Sequence, residues 1–279
     1  MEKILLAVDA SRLNKVSLEF ACYLAKLTKS KVTGIFLENL VTEEKPVLKK
    51  TSGMVYLDWK IDERTEACKR KLQLTEKNIS LFKESCIKEE VCYEVHRDKG
   101  LPETDLLQET RFADLLITDA TLNFAAHYAE TPSSFVKDIL SKSECPVVVA
   151  PDRFQPVDEM IFLYNGSAAA LFALKQFTYL FPQLGNKKIT ILQVNEAGSW
   201  QDPDKFKLKE WLKNHYTDLH FEAQTGNIDN ILFDSLFDRK NIFLIMGAYG
   251  RSAISVFFKP SHADRLIKKI PHPLFIAHW

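Results

Sequence analysis

Two glycines and a serine in the second half of the chain have a spacing that could hold a phosphate group. Gly247 and Gly250 follow an apolar run, and Pro260, Ser261 and His262 come later, at the predicted start of a helix. Glycine lets the backbone approach a phosphate closely, and the amides of a helix N-terminus favour negative charge. The pattern therefore predicts an anion site, although the glycines could equally serve a tight turn and Ser261 could cap the helix.

No other set of side chains has the spacing of a catalytic or metal site. The seven histidines include no H-x-x-x-H pair, and the sequence has neither a G-x-S-x-G nucleophile turn nor a GK[ST] phosphate loop. We therefore expect no catalytic residues and no metal site.

Composition and charge narrow the class of protein. The chain has 279 residues, with 37 Lys and Arg balanced by 37 Asp and Glu, so nothing favours a nucleic-acid partner. No segment approaches the roughly 20 apolar residues that a membrane span needs, so we expect no membrane partner either. The five cysteines all lie in the first half without a C-x-x-C motif, which favours free thiols and a cytoplasmic protein.

The elements that position the glycines belong to an internal repeat. The run from Ile4 to Ser11 is echoed by the run from Met160 to Ser167, and each is an apolar strand that ends in a short polar turn. Apolar residues at helical spacing follow both, and the serine of each turn is predicted to cap its helix. Further apolar segments match in the same order: Lys31–Leu37 with Lys188–Val194, Asp114–Ile117 with Phe243–Met246, and Cys145–Val149 with His272–Ile276.

Apolar strands separated by helices are typical of parallel sheets that are covered on both faces. We therefore predict an α/β protein with two doubly wound parallel five-stranded sheets, helices on both faces, and an origin by internal duplication. The stretch from Pro151 to Pro156 has no apolar periodicity, which places the domains at 1–151 and 152–279. Such sheets bind ligands beyond the carboxyl ends of their strands, where the glycines lie.

The spacing Gly-x-x-Gly-x9-Gly-Ser after a fourth strand is similar to the ATP-binding signature of the universal stress protein (UspA) family. Gly247, Gly250 and Ser261 are in register, and Pro260 stands at the third glycine. The resemblance implies a tandem universal stress protein with the adenine nucleotide alpha hydrolase-like fold, whose second half binds ATP or another adenine nucleotide. The residues that the resemblance assigns to this site are Asn165, Val194, Met246, Gly247, Tyr249, Gly250, Ser261 and His262.

Each half departs from the family's pattern in a different way. In the second half, Asn165 stands where ATP-binding members usually have aspartate, and Pro260 has no amide hydrogen to give to a phosphate. In the first half, Asp9 keeps the acid, but Asp119 and Leu122 stand at the two glycine positions. An acid repels a phosphate and a leucine crowds it, so we predict that the first half does not bind ATP in the family's way.

The segment from Val41 to Trp59 occurs in the first half alone, between its second strand and its next helix. Its end, Met54–Trp59, is apolar for a loop, so we hypothesise that it packs over the first-half pocket or against a partner. Covering a sheet edge is an equally good interpretation. The helix that follows, from Asp62 to about Lys88, is predicted to bury one face that contains Cys68, Leu72, Ile79, Phe82 and Cys86.

Three functions remain open at this point. The first is a stress-response module that binds an adenine nucleotide in its second half, and the second is a nucleotide-independent interaction module with an unknown protein partner. The third is an adenylating or ATP-pyrophosphatase-type enzyme on a related fold, which usually has an S-G-G-x-D-S loop that this sequence lacks. We therefore expect no enzyme, with slow ATP hydrolysis left open. Family members commonly dimerise through the last strand, so we expect a pseudo-dimer within the chain, either monomer or homodimer.

Overall fold

A computed structural model describes residues 1–39, 44–51, 54–61, 65–124, 131–195, 197–200, 205–226, 231, 236, 239–247, 260–269 and 271–277. The strands in this part are β1 (Lys3–Asp9), β2 (Lys31–Asn39), β3 (Glu44–Thr51), β4 (Met54–Ile61), β5 (Tyr93–Gly100), β6 (Leu115–Thr118), β7 (Val147–Val149), β8 (Glu159–Leu163), β9 (Lys188–Val194), β10 (Asp218–Gln224), β11 (Ile242–Gly247) and β12 (Leu274–Ala277). The helices are α1 (Lys15–Thr28), α2 (Glu66–Lys88), α3 (Pro102–Thr110), α4 (Ser134–Lys142), α5 (Ala168–Leu180), α6 (Lys205–Lys213) and α7 (Pro260–Lys269).

Each half contains a doubly wound sheet of five strands. The strand order is β5-β2-β1-β6-β7 in the first half and β10-β9-β8-β11-β12 in the second, so the two orders match. Within each of these five-stranded sheets, all neighbouring strands are parallel. The predicted α/β class and the duplicated five-stranded sheets are therefore confirmed.

The two sheets meet edge to edge. The fifth strands, β7 and β12, pair in antiparallel fashion with Val148 opposite Phe275, and both of these side chains are fully buried. The halves thus share one ten-stranded sheet instead of forming two separate sheets. Because the pairing covers two strand edges that would otherwise be open, it gives the chain the arrangement expected of a pseudo-dimer.

Helices cover both faces of this sheet and bury a core that runs through both halves. On one face, α1, α2, α5 and α6 contribute Phe20, Phe82, Phe177 and Leu208 to a single cluster. On the other face, α3, α4 and α7 pack against the sheet in a second cluster. Among the residues described, none of the helices combines the length and apolar character that crossing a bilayer requires.

The connection between the halves, from β7 to β8, is anchored on the first helix. Phe154 packs against Phe20 and Tyr23, with ring centroids 5.7 and 5.0 Å apart. The amide of Val157 donates to the Tyr23 hydroxyl oxygen at 3.2 Å. The predicted boundary after residue 151 lies in this connection, which packs on the protein despite its lack of apolar periodicity.

The two halves begin their first helices differently. Ser167 caps α5 as predicted, because its hydroxyl oxygen accepts from a first-turn amide at 3.1 Å. Ser11 does not cap α1, since that helix begins later and Asn14 accepts from its first amides. The prediction for Ser11 was wrong because the repeat places a serine at the same distance from each strand, which hides the longer turn of the first half.

Two predictions about the region after β2 also change. The segment expected to be a loop forms a β-hairpin of β3 and β4 with Thr51 opposite Met54. Its side chains lie outside what the structure describes, so its packing over a pocket stays a prediction. In α2, Ile79 and Cys86 are buried as expected, but Leu72 is 47% exposed. The first turns of this 23-residue helix extend past the 14-residue α1 on which it packs.

Candidate functional site

In a doubly wound sheet the ligand site is expected beyond the carboxyl ends of the strands, which in each half means beyond the first and fourth strands. In the first half, Asp9 Oδ1 accepts from the Ser11 amide at 2.8 Å and from the Ser11 hydroxyl at 2.7 Å. Asp119 Oδ1 accepts from the amide and hydroxyl of Thr121 at 2.6 and 2.7 Å. The side-chain amide of Asn14 donates to the other oxygen of Asp119. Both carboxylates are therefore engaged by the turns around them.

The first half has a serine, Ser133, at the position that corresponds to Ser261. Ser133, at the equivalent position, is fully buried, and its hydroxyl donates to the Leu122 carbonyl and accepts from the Val136 amide. The cavity lined by Asp9, Asp119 and Leu122 has a volume of about 60 Å³. Small-molecule sites are usually several times larger, roughly 300–1,000 Å³. This difference supports the prediction that the first half does not hold ATP in the family's way.

The corresponding turn of the second half has an amide in place of the acid. Asn165 Oδ1 accepts from the Ser167 amide at 3.1 Å, as Asp9 does in the first half. The amide of Tyr164 donates to the Leu192 carbonyl at 2.9 Å, which ties the turn to β9. Asn165 therefore supplies the oxygen that the turn needs, and the replacement of aspartate removes a charge without removing this hydrogen bond.

Gly247 ends β11 and lies against the backbone of α5. A Cβ atom at this position would be 2.2 Å from the Ala169 carbonyl oxygen and 2.6 Å from the Ala170 nitrogen. This contact requires glycine even without a ligand. Packing against α5 is therefore sufficient to explain the glycine at position 247, a reason that the sequence analysis did not consider.

Four of the predicted nucleotide-binding residues lie at the ends of three adjacent strands. In the order β9-β8-β11, Val194 ends the first strand, Asn165 follows the second, and Met246 and Gly247 end the third. Val194 is half-buried. Met246 is 1% exposed and belongs to the core, so only its backbone could contact a ligand.

The other four predicted residues come from the connection after β11. Ser261 and His262 lie in the first turn of α7, which begins at Pro260 and confirms the predicted helix start. Their side chains lie outside what the structure describes. Tyr249 and Gly250 lie outside the described residues altogether.

Three further polar side chains occur near the end of β9, and the sequence did not single them out. The buried atoms Gln193 Oε1, Asn195 Oδ1 and Trp200 Nε1 have no hydrogen-bond partner in the described part of the chain. Asn195 uses only its other side-chain atom, Nδ2, which donates to the Ser199 carbonyl at 2.8 Å. Buried polar groups are nearly always paired in native proteins, so unpaired ones need an explanation. The sequence does change from apolar to polar residues at the end of β9, and this change could have indicated these side chains.

Trp200 packs over the end of β8. Its ring stacks on Tyr164 with centroids 5.8 Å apart and an angle of 21°, and it meets the edge of Phe221 at 5.1 Å. Lys205 Nζ lies 5.4 Å from the Trp200 centroid and 5.5 Å from the Phe221 centroid, close enough for cation–π attraction. Within the part of the chain that the structure describes, no group of His, Cys, Asp and Glu side chains could hold a metal ion.

The fold matches solved structures of universal stress proteins over the whole chain. A universal stress protein from Archaeoglobus fulgidus DSM 4304 aligns with a TM-score of 0.69 and 16% identity, over 99% of this chain and 98% of that one. A protein described as a universal stress protein from Pseudomonas aeruginosa UCBPP-PA14 aligns with a TM-score of 0.59 and 11% identity, over 100% and 93% of the two chains. A functionally unknown protein from Pseudomonas aeruginosa PAO1 aligns with a TM-score of 0.60 and 11% identity, over 100% and 92%.

No protein-family model and no curated protein matches this sequence. At identities of 11–16%, the structural likeness establishes the fold. The chain has the fold of universal stress proteins, in a tandem arrangement of two similar units.

Proposed function

We propose that this chain is a universal stress protein with domains 1–151 and 152–279, and that its second domain binds ATP or another adenine nucleotide. The crevice beyond β9, β8 and β11 is where a doubly wound sheet binds its ligand. The observation that carries the proposal is a pair of buried acceptors at the end of β9, Gln193 Oε1 and Asn195 Oδ1, which have no hydrogen-bond partner among the described residues.

These two acceptors match the donors of an adenine nucleoside. They precede and follow Val194 in the sequence, and the family resemblance assigns Val194 to the nucleotide site. The amino group of adenine and the ribose hydroxyls can each donate a hydrogen bond. Leaving a buried acceptor unpaired costs about 1–3 kcal/mol, so a ligand that donates to Gln193 and Asn195 recovers this free energy.

The phosphates would lie toward β11 and α7. Ser261 lies in the first turn of α7, where backbone amides and the helix dipole favour an anion. Pro260 contributes no amide, so fewer donors face the phosphates than in the family's pattern. The proposed nucleotide-binding residues also include three from the chain that follows β11, namely Tyr249, Gly250 and His262.

The first domain supports a second function, a nucleotide-independent contact with a partner protein. Its crevice is occupied by Asp119, Leu122 and Ser133 and leaves a cavity of about 60 Å³, so it offers a surface and not a ligand site. In this proposal, one pseudo-dimeric chain acts by binding and carries out no catalysis. All five cysteines are free, which supports a cytoplasmic location.

Calorimetric titration of the full chain with ATP tests the proposal, and we expect one nucleotide per chain. Asn195→Ala should weaken binding about tenfold, because it removes one hydrogen bond to a buried ligand. Gly250→Asp should abolish binding by placing an acid beside the phosphates.

The matched control is Asp9→Asn, which gives the first domain the turn residue of the second and should leave the affinity unchanged. Two nucleotides per chain would contradict the assignment to the second domain. Absence of binding to the unsubstituted chain would favour the interaction module.

A further inference from the structure

Two cysteine side chains face each other where α1 packs on α2 in the first domain. The Sγ atoms of Cys22 on α1 and Cys86 on α2 are 4.0 Å apart, and both thiols are free. We propose that hydrogen peroxide oxidises this pair to a reversible disulfide, which ties α1 to α2. The inference concerns the first domain, so it does not depend on the nucleotide site proposed for the second.

The two sulfur atoms need to move only a short way to form a bond. A disulfide has a sulfur–sulfur length of about 2.05 Å, so the sulfurs must approach each other by roughly 2 Å. Side-chain rotation and small shifts of the helices supply a movement of this size. Cys22 is 2% exposed and Cys86 is fully buried. A sulfenic acid formed at one sulfur is therefore held beside the other thiol and away from thiols in solution.

The contact between the two thiols makes them chemically unequal. A hydrogen bond from the Cys86 thiol lowers the pKa of Cys22, while burial and the nearby carboxylates of Glu89 and Glu19 act in the opposite direction. The same contact raises the pKa of Cys86, and burial raises it further. Because the thiolate is the reactive form of cysteine, Cys22 is the sulfur that peroxide attacks first.

The oxidation proceeds in two steps that together use one molecule of peroxide. The Cys22 thiolate attacks a peroxide oxygen and breaks the O–O bond, which leaves a sulfenic acid on Cys22 and a hydroxide that takes up the thiol proton to become water. The Cys86 sulfur then attacks the Cys22 sulfur, and the departing hydroxyl leaves with the Cys86 proton as a second water. The two thiols lose two electrons in total, and a dithiol reductant restores them.

Burial of the pair restricts which oxidants can reach it. Hydrogen peroxide is uncharged and only slightly larger than water, so a brief local separation of α2 from α1 admits it. Cys92 is exposed and is open to larger reagents as well. Oxidation of Cys22 and Cys86 should therefore be selective for a small oxidant.

A bond between α1 and α2 would also fix the parts of the chain that these helices hold. Asn78 of α2 donates to the Ala10 carbonyl in the turn after β1 at 2.9 Å. The hydroxyl of Tyr23, which follows Cys22 on α1, accepts from the Val157 amide in the connection between the domains. The second half of the chain has no cysteine. The disulfide would therefore make the first domain alone respond to the redox state.

Peptide mapping of the full chain tests the inference. The protein is treated with hydrogen peroxide, unfolded in urea with N-ethylmaleimide to block the remaining thiols, and digested for mass spectrometry. We expect one linked pair of peptides, which contain Cys22 and Cys86 and separate on reduction with dithiothreitol. The melting midpoint of the oxidised protein should rise by at least about 5 °C, because the bond closes a long loop in the unfolded chain. Circular dichroism measures it.

Two variants serve as matched controls. Cys22→Ala removes one sulfur of the pair, and Cys92→Ser removes an exposed thiol outside it. The rise in melting midpoint on oxidation should vanish in Cys22→Ala and persist in Cys92→Ser. The inference is wrong if Cys22→Ala keeps the rise. It is also wrong if Cys22 and Cys86 of the unsubstituted chain are both still alkylated under conditions that oxidise Cys92, a result that does not depend on the folding of any variant.

Discussion

The two domains have the same order of strands, but their first and second helices pack together only in the first domain. In the first domain α1 and α2 touch through Cys22 and Cys86, and Asn78 of α2 donates to the Ala10 carbonyl at 2.9 Å. In the second domain the corresponding helices leave a cleft. The comparison shows that duplication preserved the strands while the contacts between helices diverged.

Turn length explains much of this divergence. In the first domain the cap Asn14 lies well beyond Asp9, and its side chain reaches Asp119. In the second domain the cap Ser167 comes sooner after the strand, which brings the backbone of α5 against Gly247. Asp119 and Gly247 occupy equivalent positions at the end of the fourth strand. Asp119 contacts the Asn14 side chain, whereas Gly247 contacts the backbone of α5. The choice between aspartate and glycine there therefore reflects the packing of each domain.

The largest effect is expected from a substitution where β7 pairs with β12, because this pairing joins the sheets of the two domains. Val148→Asp would place a carboxylate in a fully buried position opposite Phe275. We expect a loss of at least about 4 kcal/mol in the free energy of unfolding, because an unpaired buried charge is among the most destabilising changes. Urea denaturation followed by circular dichroism measures it.

Val148→Ala is the matched control and should cost about 2 kcal/mol, the loss expected for a modest cavity. Both variants should unfold in a single transition, because both core clusters run through the two domains. Val148→Asp could instead unfold in two transitions, one of them at the urea midpoint of the unsubstituted protein. The two domains would then unfold independently, and the ten-stranded sheet would not unfold as one cooperative unit.

A smaller effect is expected at Gly247, where a substitution tests whether the glycine is needed for packing against α5. Gly247→Ala should destabilise the nucleotide-free protein by about 3 kcal/mol, since the new Cβ meets the α5 backbone, which cannot move aside easily. Gly100→Ala is the control, because its Cβ would meet only the mobile carboxylate of Asp105. Urea midpoints compare the two. Unchanged stability of Gly247→Ala together with lost ATP affinity would show that the glycine serves the ligand alone.

The strand order was predictable because each apolar run is local and its alternation with helices specifies a doubly wound sheet. The runs that begin at Ile4 and Met160 form the central strands of the two domains, β1 and β8. The pairing of β7 with β12 was expected only from the family resemblance, since β7 has only three residues and its pairing depends on an open edge elsewhere in the fold.

The candidate site was less predictable because its geometry depends on distant residues. The burial of Gln193 and Asn195 depends on how the following chain folds back, and Trp200 stacks on Tyr164 there. The role of Asn14 depends on the length of one turn. Motif spacing predicts where a ligand crevice would lie, but it cannot show which side chains surround that place.

The smallest effect concerns the residue that precedes the fifth strand in each domain, Cys145 in the first and His272 in the second. Burial raises the pKa of Cys145 to about 12, so its thiol stays neutral at physiological pH. Burial lowers the pKa of His272, and hydrogen bonds to the carbonyls of Leu236 and Arg239 offset part of this effect. The two domains should therefore respond differently to acid.

Below about pH 6.5, the usual pKa of histidine, the unfolded chain binds a proton at His272 more readily than the folded chain does. His272 should thus reduce stability as the pH falls below that value and have no such effect above it. His272→Cys gives the second domain the residue of the first and removes this group. The drop in melting temperature between pH 7.5 and 5.5 should become smaller by about 2 °C. An unchanged drop in His272→Cys would mean that other groups carry the acid response and that the two domains do not differ at this position.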